Sequence, residues 1–523
     1  MPQHMRRATY ARGRAALLAA LTLALACLLA ACGGKEESSG SASDPAAVAP
    51  ADTAVYAEVR LRLDDDAADG VATALRRVTL IGDPIGELRR SLEDEVSSEG
   101  DWSFARDIEP WLGDRAGVFV LQAPGDPELD DPDVGVVLTV DDEDAAADAM
   151  ARLAEDDEDR PTRGTYEGTD YLADETDDTW VGIVDGYFVL GTEAGFRAAV
   201  DAARGDDLGA SDRYDEALDA VPDDALAFAY VDTEAFLPAI TATADLDDPF
   251  VRRSLDQLRD AGAATLALTA NADEVALEIS GDDEALGVSE NGGGEVSIDD
   301  LPGDAWAALA TPPLGPAIRQ AVEQAGEYDE AARQLQAAAG LDLDRDVLGW
   351  LGGVAAFVRG TAPLELGGGI VIGSADAAAS RRLVTRIERM VGAFGVSPRP
   401  VGGGTGFEVA VPDLPQPIAV IAQGDKVAIG LGAPSARDAL DPGESFAGSG
   451  DGKAVLDTLG EGFQPSFALV LGPMLQLVRA VGADSDPDVR EALPYLSAYR
   501  SIAAGTKRAD GKATVRIVAG LQD

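Results

Sequence analysis

The stretch Arg106-Asp107-Ile108-Glu109-Pro110-Trp111-Leu112-Gly113 returns as Arg345-Asp346-Val347-Leu348-Gly349-Trp350-Leu351-Gly352, 239 residues further along the chain. The same offset carries Gly191, after the apolar run Tyr187-Phe188-Val189-Leu190, onto Gly430, after Lys426-Val427-Ala428-Ile429, and Phe228 onto Phe467. Three matches in register mark an internal duplication. Between them Asp144-Ala145-Ala146-Ala147 aligns with Asp376-Ala377-Ala378-Ala379 at a shifted offset, which implies compensating insertions. The starts correspond as well: Pro50-Ala51-Asp52-Thr53-Ala54-Val55 and Pro302-Gly303-Asp304-Ala305-Trp306 each place a turn before a strand. A period this long is a gene duplication and not a solenoid or propeller repeat. It predicts two homologous tandem units, 50–285 and 299–523, joined by a Gly- and acid-rich linker, 286–298.

Within the first unit, apolar runs bounded by Gly, Asp and Pro predict strands over 53–61, 115–122, 134–140, 180–184, 187–191, 225–231, 264–270 and 274–280. Apolar residues at three- and four-residue spacing predict helices over 143–154, 193–204, 233–242 and 249–261, most with acids near their starts where the helix dipole favours them. Adjacent strands are as frequent as strand–helix alternations. The fold class is therefore α+β, each unit mainly antiparallel sheet faced by helices.

The N-terminus has a different character. Arg6, Arg7, Arg12 and Arg14 precede an apolar run from Ala15 to Ala31 broken only by Thr22, the layout of a secretory signal. That run is shorter than the roughly 20 residues a spanning helix needs. It ends in Leu29-Ala30-Ala31-Cys32-Gly33, which resembles the lipobox of bacterial lipoproteins. The resemblance implies that residues 1–31 are a signal peptide and that Cys32 becomes an acylated first mature residue. Residues 32–49, rich in Gly, Ser and Ala, then read as a flexible tether. The expected location is the extracytoplasmic face of the cell membrane, reached through the lipid anchor.

Composition narrows the chemistry. The only histidine is His4, and Cys27 is one of two cysteines, so the mature chain keeps no histidine and one thiol. That excludes Ser-His-Asp and Cys-His catalysis, His or Cys zinc sites and disulfides. The chain carries 94 acids and 41 Lys plus Arg; without the four signal-peptide arginines, 37 bases remain and the formal charge is −57. Such a body repels phosphate backbones, so nucleic acid is not an expected partner. Asp141-Asp142-Glu143-Asp144 and Glu155-Asp156-Asp157-Glu158-Asp159 read as solvated charge.

The remaining motifs fail on spacing. Asp342-Leu343-Asp344-Arg345-Asp346 opens like a calcium loop, but Val347 stands where Gly is needed and Gly353 where Glu is needed. The glycines of 366–370 and 401–406 lack a strand-to-helix setting for a dinucleotide, and Gly452-Lys453 and Gly511-Lys512 lack a phosphate loop. Neither a cofactor nor a metal site is expected. Paired carboxylates for glycoside hydrolysis are compatible with 94 acids but are not singled out by them.

The lipobox, the Pro-x-Asp start and the Asp-φ-x-x-Trp-Leu-Gly signature together resemble an uncharacterised family of bacterial extracytoplasmic lipoproteins known only as a domain of unknown function. That resemblance implies no activity and no functional residues. In the signature itself, Asp107 reads as a helix N-cap, Ile108, Trp111 and Leu112 as one apolar face of a short helix, and Gly113 as its end. Trp111 and Trp350 are accordingly core residues, or else a pair of equivalent ligand pockets. The sequence points to a non-enzymatic scaffold or partner-binding envelope protein. The alternatives are a carrier of a lipid or other apolar ligand between the duplicated units and, behind it, a carboxylate hydrolase.

Overall fold

The structure, a computed structural model, describes residues 44–98, 102–121, 132–156, 161–176, 178–243, 262–283, 295–324, 328–393, 396–402, 405–412 and 416–522, with the single positions 252, 255, 259, 286 and 414. By their contacts the residues divide into two compact units, Met1–Leu286 and Gly287–Asp523. Both are α+β.

In the first unit the strands are β1 (Val55–Arg60), β2 (Leu112–Val120), β3 (Val134–Val140), β4 (Thr162–Tyr166), β5 (Thr169–Asp174), β6 (Thr179–Val184), β7 (Tyr187–Gly191), β8 (Ala227–Asp232), β9 (Ala263–Ala270) and β10 (Glu274–Asp282). They lie side by side in the order β4-β5-β6-β7-β3-β2-β1-β8-β9-β10, every neighbouring pair antiparallel. The second unit holds β11 (Ala305–Thr311), β12 (Leu351–Arg359), β13 (Gly367–Ser374), β14 (Arg399–Pro400), β15 (Thr405–Val409), β16 (Ile418–Gln423), β17 (Lys426–Leu431), β18 (Gln464–Val470), β19 (Tyr499–Ala509) and β20 (Lys512–Leu521). Its order, β14-β15-β16-β17-β13-β12-β11-β18-β19-β20, repeats that of the first unit strand for strand, again antiparallel throughout.

Two strands escape the sequence reading. β4 is polar and mostly exposed, and β5 offers only the three-residue run Tyr171-Leu172-Ala173 between acids, too short to announce a strand. What makes them a hairpin is the turn between them: Glu167 (φ 47°) and Gly168 (φ 86°) both take the left-handed conformation that two-residue hairpins require. The helices Asp65–Thr79 and Pro84–Ser98 were not foreseen either, whereas Glu143–Asp156, Glu193–Ala202 and Thr233–Thr243 fall where periodicity places them. The helix expected over 249–261 lies outside the described residues apart from 252, 255 and 259.

The tether is shorter than composition implies. Asp44 caps a 3-10 turn, Pro45–Val48, by accepting from the Ala46 amide at 2.9 Å, and Ala46, Val48 and Ala49 are buried in the first unit's core. The turn is held by the Leu208 amide donating to the Ala49 carbonyl at 2.7 Å and by a bridge between Pro50 and Asp207. The second unit repeats the device. Ser297 caps Ile298–Asp300, Ile298 is buried, the Phe446 amide donates to the Leu301 carbonyl at 2.6 Å, and Pro302 bridges to Ser445. Residues 44–49 therefore belong to the fold and not to the tether, and Ser297 and Ile298 to the fold and not to the linker. Small apolar residues and prolines resemble a linker in composition, but here they fill a gap between a strand and a distant turn.

In the first unit each face of the sheet has its own apolar cluster. Tyr56, Phe119, Val137, Val189 and Phe196 pack on one side. Val59, Leu61, Phe104, Trp111 and Phe188 pack on the other. No helix among the described residues is long and apolar enough to cross a membrane.

Candidate functional site

The repeated signature folds differently from its sequence reading. Residues Phe104–Ile108 form a single π-type turn whose N-cap is Ser103, and Leu112 and Gly113 already belong to β2. Asp107 is therefore not the cap. Its carboxylate accepts from the Ser103 amide at 2.9 Å while the Ser103 hydroxyl accepts from the Arg106 amide at 3.3 Å, a reciprocal closure of the turn. Gly113 does not end a helix; a Cβ there would lie 2.3 Å from Thr139 Oγ1. The second unit matches in detail. Asp342 caps Leu343–Leu348, the Asp342 amide donates to Asp346 at 3.0 Å, and the Arg345 amide donates to Asp342 at 2.8 Å.

Around each turn the ionic and aromatic partners are fixed. Arg106 Nη2 lies 2.7 Å from Asp107, whose side chain is only 3% exposed, and Arg152 from the helix Glu143–Asp156 closes on the other carboxylate oxygen. The Arg106 hydrogen bonds, helped by the Ser103 amide and Arg152 and opposed by burial, hold the Asp107 carboxyl at about 2. Arg345 and the Asp342 amide do the same for Asp346, also at about 2. Trp111 and Trp350, the two candidate pocket residues, are 4% and 5% exposed. Their indole nitrogens donate to the carbonyls of Asp107 and Asp346 at 2.7 and 2.9 Å. Trp111 also lies against Phe188, ring centroids 4.9 Å apart. Their own carbonyls accept from the amides of Asp141 and Ala375.

The helices that follow align two residues away from their sequence pairing. Asp142 accepts from the Ala145 amide, as Asp376 does from Ala379, so Asp142 and not Asp144 is the counterpart of Asp376. Counting on from these caps makes Arg152 the counterpart of Arg386, which donates instead to the Gly340 carbonyl at 2.8 Å.

A second constellation was not anticipated. Glu58 sits at an inward position of β1, 5% exposed, accepting from the Tyr56 hydroxyl at 2.9 Å and from Arg115 at 3.0 Å. Gly117 stands opposite it, and a Cβ there would lie 2.9 Å from the Tyr56 hydroxyl. Tyr214 packs edge-on to both Tyr56 and Tyr230, at 5.7 and 5.3 Å, and its buried hydroxyl makes no hydrogen bond. Burial raises the Glu58 carboxyl, partly offset by Arg115, and pushes Tyr230 up to about 12 and Tyr214 higher still. The second unit lacks this cluster: Tyr56 stands between Phe119 and Tyr230, whereas on the corresponding rung Ala308 stands between Phe357 and Ala468. The signal in the sequence was a lone Glu on the same parity as Tyr56 in Val55-Tyr56-Ala57-Glu58-Val59.

Among the described residues, no group of three or more His, Cys, Asp or Glu is placed to hold a metal ion. Cys32, the candidate lipidation site, lies outside the described residues.

The sequence model of a family described as a protein of unknown function (DUF3352) matches residues 14–466. No curated protein matches the chain. Among solved structures, crystal form IV of TP0453 aligns with 46% of this chain and 82% of its own, at 12% identity and a TM-score of 0.26. Crystal form I of TP0453 aligns with 46% and 79%, at 14% identity and a TM-score of 0.25.

Proposed function

The chain belongs to the DUF3352 family of unknown function, and from that premise we propose that it is a lipid-anchored protein of the extracytoplasmic membrane face, a non-catalytic scaffold presenting two homologous units to an envelope partner. The observation that carries this reading is Leu29-Ala30-Ala31-Cys32-Gly33 at the end of a short apolar run behind four arginines. Acylation of Cys32 anchors the body, which its charge would otherwise keep away from anionic headgroups.

The homology of the units is supported by their identical strand order and by the paired turns at Asp107 and Asp346. That the paired turns are structural and not catalytic is supported by how they use their charges. Asp107 and Asp346 are bound by neighbouring arginines and by backbone amides, and both indoles are bound to backbone carbonyls. A catalytic acid needs a pKa near the working pH, and carboxyls held at about 2 are far from it.

The test is Cys32→Ala in the native host, followed by membrane fractionation and intact-mass measurement. The expected result is an unprocessed precursor or a protein released from membranes. A variant that is processed and retained like the parent overturns the anchor.

A further inference from the structure

Residues 44–49 form a strap that packs on β2 and β3 of the first unit. Pro45, Ala46, Val48 and Ala49 are buried in it. Both of its ends are tied: the Asp44 carbonyl accepts from the Tyr187 hydroxyl at 2.9 Å, and the Ala49 carbonyl from the Leu208 amide at 2.7 Å. What the strap packs against is the buried carboxyl of Glu58. Gly117 stands opposite Glu58, and a Cβ there would lie 2.9 Å from Pro45 Cβ and 2.9 Å from the Tyr56 hydroxyl that donates to Glu58. Pro45 therefore meets the Tyr56–Glu58 pair at the one place where β2 carries no side chain. The negative charge of Asp44 is felt at Glu58, Tyr56 and Tyr214 alike.

Two tendencies oppose each other in this seat. Burial of Ala46, Val48 and Ala49 and the two tying hydrogen bonds hold the strap down. Against them, burial raises the Glu58 carboxyl above its ordinary value, an effect that Arg115 reduces and Asp44 increases. The Tyr214 hydroxyl, in a residue 1% exposed, has no hydrogen-bond partner. A carboxylate and a bare hydroxyl both gain when water reaches them, so both favour lifting the strap. The groups that face Glu58 are Tyr56 on β1, Arg115 on β2, Tyr214 on the helix Asp212–Leu218 and Asp44 on the strap itself; Phe228, opposite on β8, brings no charge. Arg115 is 31% exposed, so solvent screens part of its attraction.

The second unit supplies the contrast. Its strap is seated in the same way, through the Phe446 amide and the Leu301 carbonyl, but on the rung of Glu58 and Gly117 it has Ala310 opposite Ala355. Nothing on that rung titrates.

We propose that residues 44–49 are a pH-governed strap, held down while Glu58 is neutral and loosened when it ionises. The sign follows from solvation. Closed, the carboxyl is buried and its proton is retained to higher pH; open, it titrates near its ordinary value of 4.5. Opening therefore increases as the pH rises above that value and levels off once Glu58 is ionised in both forms. Release adds the six residues 44–49 to the chain between Cys32 and the sheet, up to roughly 20 Å of reach. That last consequence rests on the anchor reading, whereas the strap does not.

The experiment is hydrogen–deuterium exchange of the full chain at about pH 5 and about pH 8, read by mass spectrometry and corrected for intrinsic exchange rates. Peptides spanning 44–51 and 206–210 report the first strap, and peptides spanning 297–303 and 445–448 the second. The expected result is opening severalfold greater at the higher pH for the first strap and unchanged for the second. Glu58→Gln abolishes the difference, and Asp44→Asn, which keeps an oxygen to cap the turn, narrows it. If Glu58→Gln fails to fold, Asp44→Asn carries the test alone. Equal opening at the two pH values, a difference that persists in Glu58→Gln, an unaltered difference in Asp44→Asn, or the same change at the second strap would each overturn the assignment. A Cys32→Ala chain opens as the parent does, so a failure of the anchor and a failure of the strap are told apart.

Discussion

The indole nitrogen of Trp111 donates at 2.7 Å to the carbonyl of Asp107, four residues earlier, while the carboxylate of that aspartate closes the same turn on the Ser103 amide. One residue thus serves two partners with two different groups, and Trp350 with Asp346 repeats the arrangement. Tryptophan suits the buried side of this contact because it joins a large apolar ring to a single donor.

Trp111→Ala should cost about 3–5 kcal/mol, because it opens a cavity against Phe188 and leaves the Asp107 carbonyl unpaired. Trp111→Phe keeps much of the packing and should cost less, about 1–2 kcal/mol for the missing donor. Urea unfolding of the two variants decides this; a Trp111→Phe chain as stable as the parent would mean that the hydrogen bond contributes nothing, and equal costs would mean that the ring packing does not.

Asp107 gives the acid limb of stability a definite window. Its folded pKa, about 2, lies below its ordinary value of 3.8, so the folded state favours the carboxylate. The contribution is complete above about pH 4 and is lost as the pH falls toward 2. Asp107→Asn should flatten the melting-temperature profile across that window. A variant that loses stability between pH 4 and 2 as steeply as the parent contradicts this.

Glu58 behaves in the opposite sense. Burial raises its folded pKa, so ionisation costs stability as the pH rises through and above 4.5. Arg115 offsets that cost. Arg115→Met should therefore destabilise at neutral pH by about 2 kcal/mol, below the usual value for a buried pair because Arg115 is 31% exposed. Adding Glu58→Gln should recover most of the loss, and a double variant no better than the single one would place the effect in packing.

The first residues of the fold are also testable. Starting the chain at Pro50 removes Ala46, Val48 and Ala49 from the core and leaves the Leu208 amide and the Tyr187 hydroxyl without the carbonyls they donate to. The expected loss is roughly 3 kcal/mol. A chain starting at Asp44 should melt with the parent, and a chain starting at Pro50 that does the same would return these residues to the tether.

The sequence by itself determined what is local or repeated. It determined the α+β class, because apolar periods of two and of three to four residues are written along the chain. It also determined the correspondence of Arg106-Asp107 with Arg345-Asp346, because identical spacing needs no coordinates. It did not yield β4 and β5, where a polar strand and a three-residue apolar run leave the Glu167-Gly168 turn as the main signal, nor the burial of Ala46 and Val48. The tertiary structure alone decided that Asp107 closes a turn it does not cap. It also decided that Glu58 meets Arg115 from another strand, and that Gly117 stands opposite Glu58. Each of these depends on which residues stand opposite one another across strands distant in sequence. That register is set by pairing and packing over the whole sheet, and no short window of sequence contains it.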